Sequence, residues 1–153
     1  MSTFADLEKY LEQLPDRVMD DVSHLVAETA TEYFKESFRT KSFDGNPWKD
    51  GVPKPTGSLM IESGNLQNSI TPAIITPERV VISAGNDKVD YARPHNEGFN
   101  GSVTINPFRR KNGQDVKQHT RQMNIPQRQF MGNANELATR LIERIQQYLK
   151  TIL

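Results

Sequence analysis

From Val18 to Phe38 the apolar residues return at steps of three and four. Val18, Val22, Leu25, Val26, Ala30, Tyr33, Phe34 and Phe38 form one stripe, and Glu28, Glu32 and Glu36 share another. That period predicts an amphipathic helix over roughly 16–38. Pro15 and the carboxylates of Asp16, Asp20 and Asp21 mark its start. Proline fits the first helical position, and carboxylates favour the positive end of the helix dipole. Ahead of it, Phe4, Leu7, Tyr10, Leu11 and Leu14 make a shorter amphipathic segment that Ser2 or Thr3 can cap. Near the other end of the chain the helical spacing returns in Leu137, Leu141, Ile145, Tyr148, Leu149 and Ile152. Asn133, with Glu136 three residues on, reads as the capping box of this second long helix, which is expected to pack on the sheet or on the first helix.

Between the helices the period changes. Gly45, Pro47, Gly51, Pro53, Pro55 and Gly57 predict a long loop over about 39–63, in which Phe43 and Trp48 argue for order. Ser63 to Ile70 reads as a short helical turn entering extended chain. Ile70, Ala73, Ile74 and Ile75, then Val80, Val81 and Ile82 beyond Pro77-Glu78-Arg79, predict a hairpin closed by Gly85-Asn86-Asp87. Tyr91 to Gly98 is turn-rich. Val103 to Asn106 resumes strand, and part of Val116 to Ile125 returns antiparallel after the turn at Asn112-Gly113. The expected fold is α+β, one domain over 1–153, with an antiparallel sheet packed by long N-terminal and C-terminal amphipathic helices.

Composition narrows the function classes. At 153 residues and 35% apolar, with a mean hydropathy of −0.66, the chain is polar for a compact monomer, so part of its core is expected to be completed by neighbours. Having no Cys, it offers no disulfide, thiolate metal site or thiol nucleophile. No segment has the length of a membrane span, and the start of the chain lacks the basic and apolar runs of a secretion signal.

The net charge of zero conceals two fields of opposite sign. Residues 6–38 are acidic, with Glu28, Glu32 and Glu36 among many carboxylates and only Lys9, Arg17 and Lys35 opposing them. Residues 101–130 carry Arg109, Arg110, Lys111, Lys117, Arg121 and Arg128 against Asp115 alone. Opposite fields on one chain favour head-to-tail association, acidic helix against basic hairpin, with Arg128 a candidate for an inter-subunit salt bridge. The alternative is two solvated faces.

Candidate chemistry is thin. His24, His95 and His119 do not have the spacing of a helical metal pair, so no metal is expected. His95 and Glu97 lie two apart in a loop and are the one acid/base candidate, but no nucleophile motif accompanies them, and packing is the usual fate of such a histidine. Clustered bases at 109–121 invite a nucleic-acid reading, which the scarcity of aromatics and a pI of about 6.8 weaken. Phosphate-binding glycine loops are missing, and no cofactor is expected.

Four separated elements resemble the phage virion morphogenesis family of Mu-like tail completion and head-tail joining proteins. They are Trp48 after Gly45-Asn46-Pro47, then Ser63-Gly64-Asn65-Leu66-Gln67-Asn68-Ser69-Ile70, then Tyr91-Ala92 with His95 to Gly98, and Ile125-Pro126-Gln127-Arg128-Gln129-Phe130-Met131-Gly132. The likeness spans roughly 34–132, departing at the proline-rich loop after Trp48. It implies a non-enzymatic structural protein of a tailed phage or prophage, without cofactors, forming a homo-oligomeric ring with tail or neck proteins. Such a protein is found in the bacterial cytoplasm during assembly and then in the virion. Trp48, Leu66, Tyr91 and Phe130 are expected as apolar anchors, Gly64 and Gly98 as backbone turns, and Pro126 as a stiffener of extended chain. Arg109, Arg110, Lys111, Arg121 and Arg128 are expected to meet Glu28, Glu32 and Glu36 across subunits.

Overall fold

The computed structural model describes residues 2–51, 58–61, 63–86 and 91–152. Pro53, Pro55, Gly57 and Asp87 lie outside the described residues.

Helix α1 (Phe4–Glu12) opens with a capping box: the Asp6 amide donates to the Thr3 hydroxyl at 3.3 Å, and the Thr3 amide donates to the Asp6 carboxylate at 2.8 Å. After Pro15, residues Asp16–Val18 form a single 3-10 turn, so the long helix α2 runs over Met19–Thr40, three residues later than the acidic start suggests. Lys41 ends it in the left-handed conformation at φ 55°, its amide donating to the Ser37 carbonyl.

Within the expected loop, β1 (Ser42–Phe43) and β2 (Asn46–Pro47) pair across a tight turn. There follow α3 (Asn65–Asn68), β3 (Thr71–Thr76) and β4 (Arg79–Ser83), then α4 (Ala92–Glu97), the element that reads as turns in the sequence. Next come β5 (Phe99–Ile105), β6 (Phe108–Arg109), β7 (Asp115–Val116) and β8 (His119–Ile125), and helix α5 (Asn135–Ile152) ends the described chain. The strands are antiparallel, as expected, but among the described residues they form four separate two-stranded ribbons: β1 with β2, β3 with β4, β5 with β8, β6 with β7.

The core sits between α2 and α5, with α1 and the β3–β4 ribbon against them. Phe38, Ile70, Phe130 and Ile145 are wholly enclosed. Phe38 lies 5.1 Å from the Phe130 ring and 5.5 Å from Trp48, the latter edge-on. Each such side chain contributes about 2–3 kcal/mol by leaving water. A satellite of Val18, Val22 and Ile145 continues the α2–α5 contact.

The start of α5 corrects the capping expectation. Its Asn135 and Glu136 amides donate to the Asp44 carboxylate at 3.2 and 3.1 Å, so the cap comes from the β1–β2 turn and not from Asn133. Glu136, expected to reach back to its own cap, accepts instead from the Tyr33 hydroxyl at 3.0 Å, which itself accepts the Asp44 amide at 3.2 Å. Burial first, and then the Glu136 carboxylate, push the Tyr33 phenol far above its ordinary range. Tyr91 also differs from its expected role as an enclosed anchor: it is 38% exposed, its ring edge-on to His95.

Candidate functional site

The motifs that carry the family resemblance come together at the roots of two ribbons. Leu66 and Ile70 are buried beneath β3–β4. Between them Ser69 donates to the Leu66 carbonyl at 2.6 Å and accepts the Gly85 amide at 2.9 Å, tying the chain just ahead of β3 to the chain just past β4. Gln67 donates to the Lys35 carbonyl at 3.0 Å and fixes the same root to α2. Gly64, at φ 79°, provides the left-handed turn that starts α3.

A second knot holds the root of β5–β8. Asn96 accepts the amides of Phe130 and Met131 at 2.9 and 3.0 Å, and the Arg128 amide donates to the His95 carbonyl at 2.8 Å. The Trp48 indole donates to the Gln129 carbonyl at 2.7 Å. Arg128, expected at a subunit interface by its charge, is 8% exposed and donates to the Lys49 carbonyl at 3.0 Å and more weakly to that of Asp50 at 3.5 Å. Its guanidinium therefore clamps the segment after Trp48 inside the subunit. Gly98 stands between α4 and β5 at φ 80° and ψ 159°, where a Cβ would meet Gln127 at 3.2 Å. Pro126 follows the last residue of β8. Gly98 and Pro126 thus bracket the ribbon where both strands leave the body.

The ribbon itself has two unlike faces. Cross-strand pairs Phe99 with Ile125, Gly101 with Met123, Val103 with Arg121 and Ile105 with His119 share one face, apolar near the root and basic further out. Asn100, Ser102 and Thr104 with Asn124, Gln122 and Thr120 make the other, a polar uncharged ladder in which Gln122 donates to Asn100 at 2.9 Å. None of these apolar side chains joins the core clusters. Beyond the ribbon, β6–β7 forms the tip: Phe108 is 50% exposed, and Arg109 pairs with Asp115 at 2.8 Å in the open. Gly113 makes the turn at φ 87°. Arg110, Lys111, Lys117 and Arg121 are exposed without an ion-pair partner among the described residues.

The acidic helix divides into two sides. Glu36 accepts from Arg140 at 2.8 Å and from Arg39 at 2.9 Å, and Glu32 accepts from Arg144 at 3.3 Å. These two carboxylates therefore hold α2 to α5 within the chain. The hydrogen bond from Arg140 is the main reason the Glu36 carboxyl titrates below its ordinary range. Glu28 has no such partner among the described residues and stands on an open groove of about 350 Å³ between α2 and β3, with Ala27, Pro72 and Ile75 among its lining residues.

Of the acid/base candidate, Glu97 is engaged by Arg93 at 3.0 Å, while His95 packs against Tyr91. Among the described residues no group of three or more histidines and carboxylates is arranged to hold a metal, and no helix is long and apolar enough to cross a membrane. No curated protein and no solved structure matches the chain significantly. The family comparison does match, over residues 4–150, enclosing both roots and the ribbon between them; the chain belongs to the phage virion morphogenesis family.

Proposed function

We propose that this protein is a tail completion or head-tail joining subunit that works in a homo-oligomeric ring with tail or neck proteins, without catalysis or a cofactor. Its place is the bacterial cytoplasm during assembly and then the virion. Membership of a virion morphogenesis family gives the structural assembly role. The observation that carries the finer reading is the β5–β8 ribbon, firmly rooted yet with its apolar face off the core. An isolated two-stranded ribbon is marginal in water, so an exposed one with a built root is suited to completion by another subunit.

Removal of the gene from the parent phage or prophage tests the proposal. Electron micrographs of lysates are expected to show separate heads and tails, and adding the purified protein to them restores joined particles. Intact virions formed without the gene would refute it.

A second reading uses Arg109, Arg110, Lys111, Lys117 and Arg121 on nucleic acid, and the exposed cations of the tip favour it. It predicts binding to duplex DNA at low salt that falls steeply as salt rises. Absence of binding at low salt removes it.

A further inference from the structure

We infer that the β5–β8 arm of one copy lies in the α2–β3 groove of the next copy, basic end toward the N-terminal end of α2. This rests on the proposed self-assembly and names its contact. The occupant is identified by matching chemistry on two separated surfaces of the same chain.

Three features agree. The arm's inner face offers Phe99, Val103, Met123 and Ile125 off the core, and the groove offers Ala27, Pro72 and Ile75 beneath an open mouth. Further along the same arm face stands Arg121, with Lys117 and Lys111 beyond it toward the tip. The groove's rim carries Glu28, with Asp20 a little over two turns earlier on α2; neither is paired among the described residues. Lengths correspond as well. His24 to Lys35, the extent of α2 along the groove, covers roughly 16 Å at the helical rise. A seven-residue strand covers roughly 20 Å.

Charge also sets the direction. Lys35 lines the groove at the far end from His24 and repels a cationic tip there, whereas Glu28 and Asp20 attract it at the near end. Glu32, on the same rim, is shared with Arg144, which leaves Glu28 as the principal anionic contact. The contact is head-to-tail, since the arm and the groove are different surfaces; such a contact gives a ring when its rotation closes and an open filament when it does not.

The absence of native cysteine makes the test direct. Copies carrying only Glu28→Cys are mixed with copies carrying only Arg121→Cys and treated with a short bis-maleimide. A cross-linked species of twice the chain mass is expected in the mixture, and little in either variant alone or when Glu143→Cys, on α5, replaces Glu28→Cys. Separately, Glu28→Arg and Arg121→Glu are each expected to lower the self-association constant about tenfold, and mixing the two variants to recover part of the loss. An oligomer seen by light scattering with no Glu28–Arg121 cross-link overturns this contact and leaves self-assembly standing. A monomer at every concentration and salt overturns both. Binding of the arm to duplex DNA, with no cross-link between copies, assigns the arm to nucleic acid and also overturns the contact.

Discussion

The β3–β4 and β5–β8 ribbons are built alike and used differently. Each is antiparallel and two-stranded, each leaves the body through a hydrogen-bonded root, and each carries a set of apolar side chains. The first lies on α2, where Ile74, Ile75, Val80, Val81 and Ile82 are half-buried and Ile82 joins the core. The second has a comparable set of apolar side chains, none of which joins the core among the described residues. Local propensity makes a ribbon, but only the surface it meets decides whether that ribbon stabilises the subunit or waits for another. Family motifs mark both roots, so what they specify is the direction in which each ribbon leaves.

Deleting the β5–β8 arm separates the two roles most strongly. Phe99 pairs with Ile125, so the two strand ends are close enough for a two-residue turn to replace the arm between Gly98 and Pro126. The expected outcome is complete loss of self-association in light scattering with an almost unchanged thermal midpoint. A large fall in that midpoint would mean that the arm supports its own subunit.

Single substitutions extend the contrast. Ile70→Ala, at the fully enclosed root of β3–β4, is expected to cost about 2–5 kcal/mol in denaturant unfolding. Ile105→Ala, on the arm, is expected to stay within about 0.5 kcal/mol in the same measurement. Equal costs at the two positions would dissolve the distinction.

Arg128→Met comes next. It deprives the Lys49 and Asp50 carbonyls of their donor beside a buried site, with an expected cost of about 1–3 kcal/mol in chemical denaturation. Since the guanidinium belongs to the arm's root, the same change is expected to weaken self-association more than its stability cost explains. Loss of association without any loss of stability would restore Arg128 to an interface role.

The helices and both ribbons are legible in the sequence because their signals are local: a 3.6-residue period, β-branched and apolar runs, and turn residues between strands. Thr3 and Asp6 form their box within four residues and can be read directly. Asp44 cannot, since it caps a helix 91 residues further on, and only the packed β1–β2 turn brings it there. The charged residues divide for the same reason. Sequence shows that Glu32, Glu36 and Arg128 are ionic, but α5 supplies Arg144 and Arg140 to the two acids, and the segment after Trp48 supplies carbonyls to the arginine. Charge pattern predicts sign, and packing alone tells which charges remain available to a partner. Glu28, Lys111 and Arg121 stand on surfaces that no other described residue covers with an ion pair.

Acid titration separates the two kinds of charge with the smallest effect. Arg140, then its own partial burial opposing, then the nearby Arg39 set the Glu36 carboxyl, and the net result is a titration below the ordinary 4.5. A carboxyl lowered in the folded state stabilises that state once the unfolded group has ionised. Its contribution is therefore complete above pH 4.5 and disappears as pH falls through the lower folded value. Glu36→Gln is expected to flatten the stability curve in that acidic window while leaving self-association near neutrality unchanged. Glu28→Gln is expected to weaken association at neutral pH. The two measurements, acid unfolding and neutral-pH light scattering, separate an α2 carboxylate that holds the subunit together from one that is left for its neighbour.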